Sequence, residues 1–480
     1  MQNYSDKKTI FGMALFALSI LMLIYMLINP LNQLVFNVEE YFTLTLVNFP
    51  IADILTMTGS DINPPLYYLL AKLVNKFTGD LFMLKLLSII PYALILIVSA
   101  TKLRIDYGWF TAGLFAFSIA AAGEFFIYFL ALRPSGWALL FVVLSFIFLR
   151  DIIVKNDKIS WILFTLFSVL SIYTYYFAGI TTVCLYLILL AFILKDNGKN
   201  LKMWGISLAA AIICFIPWLI PFINLLGSIH NSFWVGAPTV DLIIQTIAYF
   251  AYSGDTLFSI VAIIIALIIT VLYIQTKDKE QIYVLSGIGA FVLTLIIGLA
   301  ISFIFKPVLL ARCLLPAAGL VWLSISIMLS KLENRTFLIS FALIMLLLIS
   351  GIGLMISESN DLTASAASQK EALDNITSDD IVVLTTPNMI VHFLDRADEW
   401  NLSCIKVEYI YGENMERAHQ LFDFKDITTD EIKDLPSDRN VYLISWGEPD
   451  VGINTTTLSS ENGIVISQAH IPEVQEEEYY

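Results

Sequence analysis

The chain has 480 residues, 58% of them hydrophobic and 14% charged, and its mean hydropathy of +0.79 excludes a soluble globular protein. Its formal net charge of −14 comes from the C-terminal part, because 25 acidic and 7 basic residues follow residue 357 while the rest carries a small basic excess. The composition predicts a polytopic α-helical membrane domain over 1–356 and a separate acidic domain over 357–480. No nucleic-acid partner is expected.

Eleven apolar runs approach the length needed to cross a bilayer, which is about 20 residues for a helix. They lie near residues 9–29, 81–100, 108–126, 136–150, 160–177, 179–194, 203–222, 255–275, 282–304, 308–330 and 336–356. The first run lacks a small-residue cleavage site and is expected to be a retained helix. About eleven transmembrane helices are therefore predicted, and the longest loop between them spans about residues 30–80.

The distribution of basic residues predicts the topology. If the N-terminus is cytoplasmic, 14 of the 20 lysines and arginines before residue 358 fall in cytoplasmic segments. An odd number of spans then places the C-terminal domain outside. The predicted location is a multi-pass position in the plasma membrane, with an extracytoplasmic C-terminal domain.

The C-terminal domain has the pattern of a small α/β fold. Strand-like runs lie at 380–387, 404–411 and 440–446, and helix-like runs lie at 388–400 and 413–422. This alternation predicts one sheet of three or four short strands with helices packed on it. It contains no recognisable catalytic motif.

Three acidic residues follow the first predicted span. Glu39 and Glu40 are adjacent, and on a helix they would point about 100° apart, so one could face a cavity. The alternative is a solvated pair at a helix end. Asp61 precedes Asn63 and a Pro-Pro pair, which predicts a helix start with Asn63 as N-cap. Asp61 is either a capping acid or part of a site with the glutamates.

Basic side chains are predicted at the same membrane face. Arg133 and Arg312 sit at the outer ends of two spans, where an arginine either snorkels to the interface or binds an acid or anion. Lys306 adds a third positive charge. Together with the acids, these residues suggest a lipid phosphate beside a group to be transferred. Trp234, in the loop before the eighth span, is either an aromatic belt residue or a platform for a sugar ring.

An ordered set of blocks resembles the membrane glycosyltransferases of the GT-C fold. The resemblance covers about residues 9–356 and is closest to the branch related to protein mannosyltransferases and aminoarabinose lipid A transferases. The blocks are EEYFTL (39–44), DINPPLYYLL (61–70), LALRPSGWALL (130–140), FWVGAPTVDLI (233–243) and RCLLPAAGLVWL (312–323).

The sequence departs from the family pattern at four places. The family's Asp-Glu is Glu39-Glu40, so it is open which glutamate is the base. The family's histidine before Pro-Pro is Asn63, and the tyrosine after the second arginine is Cys313. The tyrosine near Arg133 is also missing. These departures affect the predicted substrate more than the predicted reaction.

The resemblance implies an enzyme that takes a sugar, hexosyl or pentosyl, from a polyprenyl (dolichyl-type) monophosphate carrier. It would transfer this sugar to a protein, glycan or lipid acceptor on the extracytoplasmic side, with inversion. Glu39 would be the base, Glu40 would support it or orient the acceptor, and Asp61 would help position acceptor or sugar. The implied phosphate ligands are Arg312, Arg133 and Lys306, and the implied substrate-positioning residues are Asn63, Tyr67, Tyr68 and Trp234.

No resident cofactor is expected. The four cysteines and four histidines are scattered, which predicts neither a disulfide framework nor a metal site. A divalent metal is not evidently required, because arginine can bind a monophosphate leaving group.

Two other functions are compatible with a polytopic chain that carries an external domain. A transporter or lipid flippase would be expected to show mid-membrane ionisable residues, broken helices or repeats, whereas here the acids lie in a loop. A noncatalytic sensor would leave the long acidic first loop without a purpose.

Overall fold

The computed structural model describes residues 2–28, 38–59, 61–122, 125–232, 236–251, 255–384, 401–405, 425–428, 430–449, 451–461 and 463–471. Helices dominate the part before residue 375. They are α1 (Gln2–Ile28), α2 (Val38–Leu46), α3 (Ile51–Thr58), α4 (Leu66–Thr78), α5 (Leu81–Val98), α6 (Arg104–Tyr107), α7 (Trp109–Ala121), α8 (Phe125–Leu130), α9 (Ser135–Val154), α10 (Lys158–Thr174), α11 (Tyr176–Lys195), α12 (Leu201–Ser232), α13 (Val240–Ile247), α14 (Thr256–Ile274), α15 (Gln281–Ile304), α16 (Leu315–Lys331) and α17 (Asn334–Asp374).

Each of the eleven predicted apolar runs overlaps a helix. Within the described ranges, nine helices are long and apolar enough to cross a membrane. The other two runs lie on α7, with 13 residues, and α10, with 17 residues. The first loop contains three helices, and Pro50 separates the first two of them, α2 and α3.

Helix α16 forms the centre of the bundle. Every residue from Leu315 to Leu329 is buried, which is expected of a span surrounded by other helices rather than by lipid. A 3₁₀ turn, Ala311–Leu314, leads directly into it. The turn that carries Arg312 is therefore anchored to a helix that is buried over nearly its whole length.

Helix α17 connects the bundle to the C-terminal sheet. It has 41 residues, about 60 Å at 1.5 Å per residue, and so exceeds the ~30 Å apolar thickness of a bilayer. It passes without a break through the predicted compositional boundary at residue 357. The first strand begins only at Ile381.

The sheet has six strands among the described residues, in the order β3-β2-β1-β4-β6-β5. They are β1 (Ile381–Leu384), β2 (Asn401–Ile405), β3 (Lys425–Ile427), β4 (Val441–Trp446), β5 (Thr455–Glu461) and β6 (Ile464–Ala469). Strands β1 to β4 are parallel to one another, whereas β6 is antiparallel to both of its neighbours, β4 and β5.

The predicted strand runs are only partly correct. Runs 380–387 and 440–446 contain β1 and β4, but run 404–411 overlaps β2 by two residues and otherwise lies outside the described residues. The predicted helices 388–400 and 413–422 lie outside them as well. The prediction of three or four strands was too low, because β5 is mostly polar and lacks the apolar alternation of a strand signal.

The two faces of the sheet belong to different cores. Val382 and Ile444 are buried in one cluster together with Leu44, Tyr68 and other side chains of the first loop. The alternate residues of the same strands, such as Leu443, are buried in a separate cluster confined to the C-terminal domain. Because side chains alternate across a strand, one face packs towards the membrane domain and the other forms the domain's own core.

Candidate active site

Helix α2 places Glu40 in the protein interior. The residue is 3% exposed, and its Oε1 accepts the Leu132 backbone N–H at 2.6 Å and pairs with Lys85 Nζ at 2.8 Å. Thr43, one turn later, donates its hydroxyl to the Leu132 carbonyl at 2.9 Å. Glu40 and Thr43 therefore fix α2 against the chain segment that precedes Arg133. The alternative of a solvated glutamate is wrong for Glu40.

Two predicted site residues cannot be located in the same way. Glu39 belongs to the backbone of α2, but its side chain lies outside the described part of the chain. Trp234 lies wholly outside it. Their predicted roles stay predictions.

Asp61 lies in the bend between α3 and α4. Its Oδ1 accepts the N–H of Ile62 at 2.8 Å, and its Oδ2 accepts the Tyr68 hydroxyl at 3.1 Å and the Asn63 amide at 3.4 Å. Arg133 Nη1 donates to the Tyr68 hydroxyl oxygen at 3.5 Å and lies within electrostatic range of Asp61. Asp61 and the basic residue Arg133, both predicted to belong to the site, are thus linked through the buried phenol of Tyr68.

The predicted capping roles are wrong. The N-cap of α4 is Pro65, with no side-chain cap bond, and Asn63 instead donates to Asp61. Asp61 accepts from Ile62, outside the helix, rather than from the first turn of α4. Two consecutive prolines explain the difference, because Pro64 and Pro65 supply no N–H for a cap while already restricting the backbone at the helix start.

Burial dominates the electrostatics of this bend. It raises the pKa of Asp61, while the nearby Arg133 and the hydrogen bonds from Tyr68, Ile62 and Asn63 partly oppose the rise. Burial also raises the pKa of Tyr68 well above its usual range, so that phenol remains a proton donor. A carboxylate whose pKa is raised is a stronger base than an ordinary aspartate, which suits it to accept a proton.

Tyr67 supports the bend from behind. Its hydroxyl and Ser88 Oγ lie 3.0 Å apart, and its ring packs edge-on against Tyr68 with centroids 5.9 Å apart. Both tyrosines are fully buried. Tyr68 also packs edge-on against Phe42 of α2, so the Pro-Pro-Leu-Tyr-Tyr block joins the first-loop helices to one another.

A cavity of ≈ 330 Å³ connects this bend to Arg312. Apolar side chains from α10, α11, α12 and α15 form most of its wall. Ile62, the neighbour of Asp61, lines it, as do Arg312 and Cys313. The aromatic pair Tyr175 and Tyr176 completes the wall. This apolar cavity has the cation of Arg312 at one side and Ile62, next to Asp61, at another. Such a cavity suits an amphiphile with an anionic head.

Two tyrosines from the start of α11 extend the polar part of the cavity. The Tyr175 hydroxyl donates to Cys313 Sγ at 3.5 Å and lies in electrostatic range of Arg312, while Tyr176 lies in range of Asp61. The predicted phosphate ligand Lys306 is partly exposed and precedes Val308, which lines the cavity.

The sequence analysis assigned no role in the site to Lys85, which pairs with Glu40. A lysine at the start of an apolar run is itself a signal of pairing with an acid. Among the described residues, no group of three or more His, Cys, Asp or Glu side chains converges on a point where a metal could bind.

Comparison with known proteins supports the fold. No family model and no curated protein sequence matches the chain. The crystal structure of ArnT from Cupriavidus metallidurans bound to undecaprenyl phosphate is similar, with TM-score 0.59 and 11% identity. The apo form of the same protein has TM-score 0.57 and 10% identity, and each comparison covers 96% of this chain and 98% of the other.

ArnT is an aminoarabinose lipid A transferase of the GT-C fold, one of the enzyme groups that the sequence resembles. The predicted fold class is therefore confirmed: a polytopic α-helical membrane domain of GT-C type with a small C-terminal α/β domain.

Proposed function

We propose that the protein is a membrane glycosyltransferase that moves a sugar from a polyprenyl-monophosphate carrier to an acceptor hydroxyl. The observation that carries the proposal is the cavity whose apolar wall runs between Ile62, beside Asp61, and Arg312. Its apolar lining suits the first isoprene units of a carrier, with the phosphate at Arg312. The ArnT structure of the same fold was determined with undecaprenyl phosphate, which supports a carrier of this class.

The proposed reaction is a single displacement. The acceptor oxygen attacks the anomeric carbon, the bond from that carbon to the phosphate oxygen breaks, and the polyprenyl monophosphate leaves with the bonding electrons. Arg312, with Arg133 and Lys306, compensates the charge that develops on the phosphate. One displacement inverts the anomeric configuration.

A carboxylate takes the acceptor's proton in this scheme. We assign it to Asp61, because its pKa is raised and it is hydrogen-bonded beside the cavity. Glu39 is the base that the family resemblance implies. It is the alternative to Asp61, and the experiment described below distinguishes the two. Glu40 acts as a positioning residue, since its carboxylate is already bonded to Lys85 and Leu132.

The active face is proposed to be extracytoplasmic, with a cytoplasmic N-terminus, following the distribution of basic residues. The acceptor is a hydroxyl of a protein, glycan or lipid, and the sugar is a hexosyl or pentosyl group.

The test uses purified protein, a polyprenyl-monophosphate sugar labelled in the sugar, and membrane extract as acceptor source. Wild type should release polyprenyl monophosphate and label the extract, whereas Arg312→Gln should lower the rate about 100-fold or more. Asp61→Asn should lower it to a similar extent if Asp61 is the base, and Glu39→Gln should do so if Glu39 is. Arg335→Gln is the matched control, because Arg335 is an exposed arginine at the start of α17.

Transfer that is undiminished in the Arg312, Asp61 and Glu39 variants would refute the site. If the sugar-carrying lipid instead moves across the membrane of sealed vesicles and its sugar is never cleaved off, the protein is a flippase. Retention of the anomeric configuration in the product would refute the single displacement.

A further inference from the structure

A second cavity, of ≈ 470 Å³, lies at the other end of the bundle. It is formed where α9 and α11 end and α15 begins. Arg133 precedes α9 and Arg150 lies near its C-terminal end, so about 26 Å of helix separates the candidate active site from this cavity. It is therefore a different site at the opposite membrane face.

The floor of this cavity is a closed ionic network. Arg150 donates from Nε and Nη2 to Glu280 at 2.8 and 2.7 Å and pairs through Nη1 with Asp106 at 3.0 Å. The Tyr107 hydroxyl donates to Glu280 at 2.8 Å, and its ring lies under the Arg150 guanidinium. Lys102 pairs with Asp106 and with Asp151, and Asp151 also pairs with Lys155, so the three basic and three acidic side chains of the network balance. The floor is therefore structural rather than a source of free charge.

The rim, in contrast, carries lysines whose charge is not neutralised. Lys195 and Lys279 line the cavity from α11 and from the residues before α15, and both are exposed. In the described part of the chain, neither ammonium group has a carboxylate within salt-bridge distance. Asp196 is the one acid on the rim, and it is exposed to solvent. Asn200 adds a neutral polar group at the same rim.

Apolar side chains lie beside the lysines and face outwards. Ile153 and Val154 at the end of α9 are 37% and 56% exposed, and Ile282 on α15 is 51% exposed, although all three line the cavity. On a membrane-spanning bundle, such side chains contact lipid. The cavity thus combines a cationic rim with an apolar flank, which is the arrangement that suits a phospholipid rather than a soluble anion.

We infer that this cavity binds the headgroup phosphate of an anionic glycerophospholipid, with Lys195 and Lys279 at the phosphate and an acyl chain along the apolar flank. Each lysine near a charged lipid surface strengthens binding about fivefold, and basic pockets between membrane helices are recurrent sites for such headgroups. The bound lipid would join the ends of the three helices that line the cavity.

Equilibrium binding of fluorescent dioleoylphosphatidylglycerol to the full-length protein in neutral detergent tests the inference. Wild type should show saturable binding, and Lys195→Gln/Lys279→Gln should weaken it about thirtyfold. The matched control is Lys199→Gln/Lys277→Gln, which removes two exposed lysines from the same two loops without touching the cavity lining. Thermal unfolding without lipid should be unchanged in both double variants.

Three results would overturn the inference. Equal weakening in both double variants would mean that only net charge matters. Competition by dioleoylphosphatidylcholine at the same concentration would remove the requirement for an anionic headgroup, and competition by inorganic phosphate would favour a soluble anion. Arg312→Gln should leave this binding unchanged, so the result is independent of the proposed glycosyl transfer.

Discussion

Tyr68 connects the two charges of the candidate active site. Its hydroxyl donates to Asp61 and accepts from Arg133, so a single buried phenol sets the environment of the proposed base. The hydrogen bond to Asp61 stabilises the ionised carboxylate, whereas burial favours the neutral acid. The balance between these two effects decides at which pH the carboxylate can accept a proton.

Replacing Tyr68 with phenylalanine should move the acid limb of the pH–rate profile to higher pH. Loss of the hydrogen bond raises the pKa of Asp61 further, so a smaller fraction of Asp61 is ionised at any pH near that pKa. A net hydrogen-bond contribution of ~1 kcal/mol corresponds to a shift of up to about one pH unit. The measurement is kcat/KM against pH for sugar transfer.

Tyr67→Phe is the control for this experiment. Tyr67 is as deeply buried as Tyr68 and packs against it, but its hydroxyl is bonded to Ser88 rather than to Asp61. The acid limb of the pH–rate profile of Tyr67→Phe should lie at the same pH as in wild type. Equal shifts in the two variants would show that the ring packing, not the bond to Asp61, sets the profile.

At the scale of single elements, the pair of Glu40 and Lys85 docks α2 onto the bundle. The two side chains are 4% and 7% exposed, so solvent screens their interaction little. The partner of Glu40 lies 45 positions later in the chain, and its second contact, the Leu132 N–H, lies 92 positions later. The sequence was sufficient to predict that α2 is a helix on which the neighbouring glutamates point about 100° apart. It was not sufficient to predict Lys85 as the partner of Glu40, because only helix packing brings the two together.

A double-mutant cycle should reveal this coupling. Lys85→Met alone removes a cation that pairs with a buried carboxylate and should cost about 3–5 kcal/mol of unfolding free energy. The double variant Glu40→Gln/Lys85→Met should be clearly more stable than Lys85→Met, because the glutamine keeps an acceptor for the Leu132 N–H. Unfolding is followed in detergent by intrinsic fluorescence. Strictly additive effects would show that the two side chains do not interact.

A backbone-to-backbone contact determines how α1 lies on α7. A Cβ atom built on Gly113 would meet the Gly12 carbonyl, and one built on Gly12 would meet the backbone of Trp109 and Phe110. Contacts between small residues let membrane helices approach this closely. Neither partner is the end of a flexible side chain, so the backbones themselves would have to move apart.

Gly113→Ala should therefore destabilise the protein by about 1–3 kcal/mol, the usual cost of overpacking. Gly289→Ala is the comparison, since Gly289 also lies inside a long apolar helix but has open space around the added carbon. That variant should unfold at the wild-type temperature or slightly above it. A Gly113→Ala protein as stable as Gly289→Ala would contradict the close approach of the two helices.

At the scale of the whole molecule, composition alone predicted the spans, because a sufficiently long run of apolar residues is more stable in a bilayer than in water. The cavity was less accessible to prediction. Ile62 and Arg312 lie 250 positions apart and meet only because α10, α11, α12 and α15 close the space between them. Composition also placed the domain boundary at residue 357, where charge changes, whereas the helix itself continues to Asp374.

The C-terminal sheet is part of the support of the candidate site. Its first face shares a continuous buried cluster with Tyr67, Tyr68 and Leu132, while its second face is buried only within the C-terminal domain. Ile444 and Leu443 are neighbours on β4, both 0% exposed, and they point to these different faces. Substituting each of them in turn therefore separates an effect on overall stability from an effect on the candidate site.

Ile444→Ala and Leu443→Ala should each lower the unfolding free energy by about 2–5 kcal/mol, since each leaves a cavity in a packed core. Only Ile444→Ala should also lower kcat/KM for sugar transfer, because its cavity opens in the cluster that holds Tyr68 against Asp61. Activity is compared at a temperature well below both unfolding transitions, where both variants are folded. If Leu443→Ala loses as much activity as Ile444→Ala, the sheet contributes only stability, and the contact between the sheet and the first loop does not position the site.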